Sequence, residues 1–232
     1  MKPRYSTVLF DADETIFDFQ AAERCAFAAC MEERGLPCTP EIYADYHQIN
    51  DALWKALECR EVTKTELKSL RFGRLAEKYG FTYDPTRFNL DYMAHLGQCT
   101  FLLDGAEDLC RRLREDGCRL YIITNGIAAT QRPRFEKAGL NRFFTDVFIS
   151  EDIGCDKPDR RFFETVFSRI EAFVPTESVV AGDSLSSDIQ GANNAGVDSI
   201  WFNPHGLPLT GSARPTYTVT SFEQLRETVT GR

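Results

Sequence analysis

The strongest constraint on the fold is an alternation of short apolar segments with amphipathic helical patterns. The apolar segments that predict strands are Thr7–Phe10, Arg119–Thr124, Asp146–Ile149, Ser178–Ala181 and Asp198–Phe202. Helical patterns that begin after proline or end at glycine separate the later strands. This alternation is typical of a parallel sheet covered by helices on both faces. We therefore predict an α/β fold with a Rossmann-like sheet, and we expect ligands at the carboxyl ends of its strands.

One long region interrupts the alternation. Residues 17–97 contain no strand signal, only four helical patterns joined by short loops. Thr39, followed by proline, and Thr63, in a capping-box pattern, mark two of the helix starts. The sequence predicts a helical bundle at residues 17–97, inserted into a sheet domain formed by residues 1–16 and 98–232.

Composition and charge limit the classes of partner. The chain has 232 residues, 43% of them hydrophobic, with a formal net charge of −8. The negative charge argues against nonspecific binding to nucleic acid, which needs clustered cations. The apolar run near the N-terminus is too short for a signal sequence or a membrane span. We expect a soluble cytoplasmic protein, monomeric or dimeric, whose eight cysteines, none in a CxxC pair, are free thiols.

Carboxylates follow two of the predicted strands. Asp11 and Asp13 come directly after the first strand, and Asp183 follows the fourth, with Asp188 shortly after. Two carboxylates as close as Asp11 and Asp13 should have separated pKa values, which suits a nucleophile and a general acid. An anionic substrate needs a cation there, and oxygen ligands favour Mg²⁺. Ordinary loop acids, or helix caps near Asp188, are the alternative interpretation.

Two further loops offer groups for binding phosphate. Thr124, Asn125 and Gly126 end the second strand with a hydroxyl and exposed backbone amides, which can cradle phosphoryl oxygens. Lys157, just before a proline that opens a helix, can act as a point charge for phosphate. A threonine that caps a turn and a solvated loop lysine remain alternatives.

The order of these motifs resembles a known superfamily. Asp-x-Asp-x-Thr, Thr-Asn-Gly, Lys-Pro and Gly-Asp-Ser-x-x-Ser-Asp each follow a predicted strand, and the set is similar to the four signatures of the haloacid dehalogenase superfamily. The helical insert resembles the cap of that superfamily's first cap class. The resemblance covers essentially the whole chain. It implies a Mg²⁺-dependent phosphomonoester hydrolase that acts through an aspartyl-phosphate.

The resemblance also implies a role for each catalytic motif residue. Asp11 would be the nucleophile, and Asp13 would protonate the leaving oxygen and then activate water. Thr124 and Lys157 would hold and neutralise the phosphoryl group, together with the rest of the Thr-Asn-Gly loop, Asn125 and Gly126.

A metal site is implied in the same way. Mg²⁺ would be bound by Asp11, Asp183 and the backbone carbonyl of Asp13. Asp188 would lie outside the direct ligands or bind through water.

A closer resemblance suggests the substrate. The stretches Phe10–Thr15, Tyr46–Trp54 and Ile149–Gly154 look like those of a bacterial subfamily of pyrimidine 5′-nucleotidases with a house-cleaning role. This implies a nucleoside 5′-monophosphate as the small-molecule partner. Asn50 and Trp54, at near-helical spacing, and Phe17 are the candidate contacts to the base. The alternative is that these residues form the packed core of the bundle.

Other functions compatible with the motifs are limited in number. A dehalogenase of this superfamily does not need an acid/base residue at Asp13. Phosphatases for phosphoglycolate or a sugar phosphate share the same motifs, and they remain open. A non-enzymatic binding protein on this scaffold would require loss of a charged motif residue, whereas all of them are present.

Overall fold

The computed structural model describes residues 2–232, and the chain forms two compact units. One unit consists of the segment up to Phe19 together with the segment from Thr100 to Arg232. The other unit is the continuous stretch Gln20–Cys99, where the sequence predicted an insert at residues 17–97.

The larger unit contains a six-stranded parallel sheet in the order β3-β2-β1-β4-β5-β6. The strands are β1 (Thr7–Phe10), β2 (Arg119–Thr124), β3 (Phe144–Ile149), β4 (Ser178–Gly182), β5 (Asp198–Phe202) and β6 (Tyr217–Val219). The predicted α/β class is confirmed. Because β1 lies between β2 and β4, Phe10 is paired with Ile122 on one side and with Ala181 on the other. The residue after Phe10 therefore lies beside the ends of both neighbouring strands.

The helices fall into two groups. The helical unit holds most of α1 (Phe19–Glu33) and all of α2 (Pro40–Glu58), α3 (Lys64–Tyr79) and α4 (Pro85–Leu96). The sheet unit holds α5 (Ala106–Glu115), α6 (Ala128–Lys137), α7 (Ser150–Ile153), α8 (Arg160–Arg169), α9 (Gln190–Ala195) and α10 (Phe222–Thr230).

Alternating side chains of the strands build a core on each face of the sheet. Phe10 belongs to a cluster that includes Leu109 of α5 and Leu225 of α10. Its neighbour Leu9 belongs to a separate cluster with Phe162 of α8. Because successive residues of a strand point to opposite faces, both faces are covered, as expected for a parallel sheet.

The helical unit has an aromatic core and capped helices. Phe27 stacks on Tyr46 with ring centroids 4.5 Å apart, and Tyr46 stacks on Phe72 at 5.3 Å. Thr39 caps α2, and Thr63 caps α3 with the predicted capping box. These caps satisfy backbone N–H groups that the first turn of a helix leaves unpaired.

One strand and two α-helices were not predicted from the sequence. They are β6, α7 and α10, and all of them are short. In addition, the helix predicted from Ser186 begins instead as a π-helical turn, Leu185–Ile189, which leads into α9. This turn places Asp188 beside the end of β4, since its backbone N–H bonds to Ser184 O at 3.0 Å.

Two further expectations concern the whole described chain. Within residues 2–232, none of the helices combines the length and apolar character needed to cross a membrane. All eight cysteines are free thiols, as predicted.

Candidate active site

Asp11 lies at the carboxyl end of the central strand. Its backbone N–H donates to Ala181 O at 2.9 Å, which extends the pairing of β1 with β4 by one residue. The chain then folds back, because the N–H groups of Ile16 and Phe17 both donate to Ala12 O. This tight loop keeps Asp11 and Asp13 together at the strand end.

Lys157 connects the carboxylates of two motifs. Its Nζ donates to Asp11 Oδ1 at 2.5 Å, to Asp188 Oδ1 at 2.6 Å and to Ile123 O at 2.9 Å. The ammonium group has three N–H donors, and these three acceptors match them. Lys157 and Asp188 are 2% and 0% exposed, so the ion pairs are shielded from water.

The side chain of Asn125 joins the loop after β2 to the loop that carries Lys157. Its Nδ2 donates to Lys157 O at 2.9 Å, and its Oδ1 accepts from Lys157 N at 2.8 Å. These paired hydrogen bonds fix the backbone from which the lysine side chain extends. They explain how two motifs far apart in sequence meet at one strand end.

Asp183 completes a cluster of three carboxylates. Asp11, Asp183 and Asp188 each offer an oxygen, and these oxygens all lie within 4.8 Å of one another. Gly182 makes this approach feasible, because a Cβ at that position would lie 2.2 Å from Asp188 Oδ2. Such a cluster of oxygen donors fits the preference of a hard cation such as Mg²⁺.

The pKa shifts of the clustered side chains also favour a bound cation. Burial, and then the nearby carboxylates of Asp188 and Asp13, raise the pKa of Asp11 to about 7 even though Lys157 opposes the shift. Burial and the negative charges of Asp11, Asp188 and Glu14 raise the pKa of Asp183 well above its ordinary value. Burial alone would lower the pKa of Lys157, but Asp11 and Asp188 outweigh it and raise the pKa. One ammonium group faces three carboxylates, so a bound cation would relieve the excess negative charge.

Asp13 is bound by two residues of α6 that the sequence analysis did not identify. Arg134 Nη1 donates to Asp13 Oδ1 at 2.6 Å, and Gln131 Nε2 donates to Asp13 Oδ2 at 2.7 Å. Gln131 Nε2 also lies 3.1 Å from Thr124 Oγ1, which accepts from Gly126 N at 2.9 Å as well. Polar residues three apart on a helix usually form a solvated face, so their spacing gave no signal.

Comparison with known proteins agrees with this geometry. A family model described as haloacid dehalogenase-like hydrolase matches residues 5–196. This chain belongs to that family. The resemblance seen in the four motifs is confirmed, as is the expectation that the protein is an enzyme of the hydrolase class.

Similar proteins align with this haloacid dehalogenase-like hydrolase over almost its whole length. Pyrimidine 5′-nucleotidase PynA of Streptococcus pneumoniae is 42% identical over 95% of this chain and 93% of its own length. Pyrimidine 5′-nucleotidase YjjG of Escherichia coli is 29% identical over 97% of both chains. A crystal structure of the HAD-hydrolase YfnB of Bacillus subtilis bound to magnesium shares 40% identity and superposes with a TM-score of 0.93, covering 97% of this chain and 99% of that one. These relatives confirm the resemblance to the bacterial pyrimidine 5′-nucleotidase subfamily.

Two residues expected to contact a substrate lie instead inside the units of this hydrolase. Phe17 is 0% exposed and packs edge-on against Phe135, with ring centroids 4.9 Å apart. Asn50 is 1% exposed; its Nδ2 donates to Glu23 Oε1 at 2.8 Å, and its Oδ1 accepts from Arg71 at 3.2 Å. Both predictions are corrected here, because these side chains serve the packing of their own units. Trp54, the third candidate, is half-buried on α2.

Proposed function

We propose that this haloacid dehalogenase-like hydrolase is a Mg²⁺-dependent phosphoric monoester hydrolase in which Asp11 attacks the phosphorus atom. The observation that supports this most is the arrangement around Asp11: a buried lysine, two further carboxylates and, two residues along the chain, Asp13. A carboxylate nucleophile close to a second, separately bound carboxyl group provides the two functions that ester hydrolysis needs.

The metal would be held by the carboxylates of Asp11 and Asp183 and the backbone carbonyl of Asp13. Asp188 would lie outside the direct ligands or bind through water, and its Oδ1 accepts from Lys157 Nζ at 2.6 Å. When bound, Mg²⁺ neutralises the negative charge of the phosphoryl oxygens and of the carboxylates around them.

The first half of the reaction forms a covalent intermediate. A carboxylate oxygen of Asp11 forms a bond to phosphorus while the bond from phosphorus to the leaving oxygen breaks. Asp13 in its protonated form gives its proton to that leaving oxygen, so the product is a neutral alcohol. The enzyme then carries an aspartyl-phosphate on Asp11.

The second half returns the enzyme to its starting state. Asp13, now a carboxylate, takes a proton from a water molecule, whose oxygen forms a bond to phosphorus. The bond between phosphorus and the Asp11 oxygen breaks, and inorganic phosphate leaves. A reaction that displaces halide from carbon would not need a proton at the leaving atom, so the presence of Asp13 favours phosphoryl transfer.

Thr124 and Lys157 would hold the phosphoryl group during both halves. Thr124 Oγ1 accepts hydrogen bonds from Gly126 N and Gln131 Nε2, so its own hydroxyl hydrogen remains available for a phosphoryl oxygen. Lys157 brings a positive charge that remains paired and buried at the strand ends. Fixed donors of this kind stabilise charge as it develops.

We further propose that the substrate is a pyrimidine nucleoside 5′-monophosphate. The support is the likeness to PynA and YjjG over nearly the whole chain. Trp54 is the remaining candidate for stacking on the base. Stacking on an aromatic side chain can contribute about 1–3 kcal/mol per base.

A panel of phosphate monoesters tests the proposal. The purified chain should hydrolyse UMP and dTMP faster than phosphoglycolate or sugar phosphates, with EDTA abolishing turnover and Mg²⁺ restoring it. Trp54→Ala should lower kcat/KM for UMP more than for p-nitrophenyl phosphate. A preference for phosphoglycolate or a sugar phosphate would contradict the substrate class, and full turnover in EDTA would contradict the metal.

A further inference from the structure

The side chain of Arg134 is an unusual cation for a protein interior. It is 0% exposed, and its guanidinium group lies 4.3 Å from the centroid of the Phe17 ring. Within residues 2–232, its Nε and Nη2 atoms have no hydrogen-bond partner, whereas Nη1 donates to Asp13 and Gln131. Burial of an incompletely paired guanidinium is costly, and an apolar side chain of similar size would avoid the cost. Packing alone therefore does not account for Arg134.

Gln131 connects Asp13 to the phosphate-binding hydroxyl. Its Oε1 accepts from Arg134 at 3.0 Å, and its Nε2 lies 2.7 Å from Asp13 Oδ2 and 3.1 Å from Thr124 Oγ1. Only this orientation of the amide satisfies all three contacts, since a guanidinium can only donate and a carboxylate can only accept.

A glycine in the Thr-Asn-Gly loop makes room for this amide. A Cβ on Gly126 would lie 2.3 Å from Gln131 Nε2, far inside contact distance. The loop that would bind phosphate is thus shaped to admit Gln131, which is itself only 1% exposed.

We infer that Gln131 and Arg134 are positioning residues that hold the carboxyl group of Asp13 in the orientation needed for both proton transfers. We call this pair the Asp13 clamp. Each residue binds one carboxyl oxygen, so rotation of the carboxyl group is restrained at two points. The Asp13 side chain keeps 27% exposure, which leaves one side open to a leaving oxygen or a water molecule. The inference rests on the proposed function, because it assigns Asp13 the acid/base role.

The geometry predicts a phenotype that a purely structural role would not give. With p-nitrophenyl phosphate the leaving group is stable as an anion, so the first half of the reaction proceeds without a proton from Asp13. The second half still needs Asp13 to activate water. Loss of the clamp should therefore let the aspartyl-phosphate form and slow its breakdown, as Asp13→Asn should.

The experiment uses Arg134→Met and Gln131→Met, which keep the side-chain length and remove the polar contacts. Each variant is mixed with p-nitrophenyl phosphate and Mg²⁺ in a stopped-flow instrument, and the phosphoenzyme is measured by intact mass after acid quench. We expect a burst of about one p-nitrophenolate per enzyme, followed by steady turnover lowered on the order of 10²-fold, near the low end for loss of a general base. Arg134→Lys should restore part of the turnover, because it returns a cation to Asp13.

A neighbouring arginine provides a matched control. Arg132 lies on the same helix, is 58% exposed and pairs with Asp152 at 2.6 Å, away from Asp13. Arg132→Met should behave like the wild type, without a burst.

Wild type and Asp13→Asn serve as reference proteins. They distinguish failure of this inference from failure of the proposed function. If wild type turns over and Asp13→Asn traps phosphoenzyme, but neither folded clamp variant shows a burst or trapped phosphoenzyme, the clamp inference is wrong. If Arg134→Met does not fold, Gln131→Met alone decides by the same criterion. If the wild type does not hydrolyse phosphate esters, the proposed function fails first.

Discussion

The ammonium nitrogen of Lys157 lies 2.5 Å from Asp11 Oδ1 at the carboxyl end of the central strand. The contact pairs the proposed nucleophile with a cation that arrives from a different loop. It also limits the reactivity of the Asp11 carboxylate. The ion pair holds this carboxylate in place, but it reduces the negative charge density on the carboxylate oxygens. A second contact of Lys157, with Asp188, divides its attraction between two carboxylates.

Replacement of Lys157 by methionine should destabilise the protein as well as inactivate it. The change leaves Asp11 and Asp188 as buried carboxylates without a cation, and removal of one partner of a buried ion pair typically costs about 3–5 kcal/mol. Urea unfolding in EDTA should show this loss, and added Mg²⁺ should recover part of it. Lys137→Met, at an exposed position of α6, serves as the control. Unchanged stability of Lys157→Met in EDTA would show that the pair is not the buried contact described here.

The pH dependence of stability should reveal the raised pKa of Asp11. Between the ordinary carboxyl pKa near 4 and the value of about 7, folded Asp11 holds a proton that the unfolded chain releases. Metal-free wild type should therefore lose stability from this group as pH rises through that window, by about 1.4 kcal/mol per pH unit. Asparagine does not titrate, so Asp11→Asn should gain stability relative to wild type from pH 4 to pH 7. If the free energies of unfolding of wild type and Asp11→Asn ran parallel as a function of pH in EDTA, the raised pKa of Asp11 would be contradicted.

Two glycine substitutions should have opposite effects. In Gly182→Ala the new methyl group would lie 2.2 Å from Asp188 Oδ2, so Asp188 must move and the carboxylate cluster should be disrupted. We expect lower stability and a large loss of kcat. Gly73→Ala, in the middle of α3, meets only Pro85 Cγ at 3.8 Å and should raise stability by about 0.5–1 kcal/mol. Thermal unfolding and kcat for both variants would test this, and normal kcat in Gly182→Ala would count against the metal cluster.

Asn50 should behave as a structural residue of the helical unit. Its amide is bound on one side by Glu23, which is 0% exposed, and on the other by Arg71, which is 2% exposed. Asn50→Ala leaves buried charged groups with fewer partners and should cost about 1–3 kcal/mol of stability. Any loss of kcat/KM should be the same for UMP and p-nitrophenyl phosphate. A selective loss on UMP would instead return Asn50 to the role of base contact.

The parts of the fold that could be predicted from sequence are those where local pattern and burial agree. The strands β1, β2 and β5 have their predicted bounds, because each is a short apolar run that ends at a loop. The strand β6 was missed because three residues at the sheet edge carry too little pattern. Similarly, β3 begins at Phe144, two residues before its predicted start, where two consecutive exposed residues, Thr145 and Asp146, interrupt the apolar run.

The same distinction applies to the residues of the candidate site: some could be predicted from the local sequence pattern, and others could not. Asp11, Thr124, Lys157 and Asp183 were singled out because each lies at a strand end or shortly before a helix, where topology determines position. Gln131 and Arg134 were not, since burial of polar residues on a helix depends on what packs against it. The same limit explains Phe17 and Asn50, whose residue types suit both a pocket wall and a core.

The nucleophile can be identified by locating the phosphoryl group on the enzyme during the reaction. Asp13→Asn enzyme, in which breakdown of the intermediate is slowed, would be mixed with Mg²⁺ and p-nitrophenyl phosphate, quenched in acid and digested, and its peptides measured by mass spectrometry. We expect one added phosphoryl group on the peptide that contains Asp11, and none in Asp11→Asn. A burst of p-nitrophenolate with no phosphopeptide, or with the phosphoryl group on another residue, would contradict the assignment of Asp11 as nucleophile.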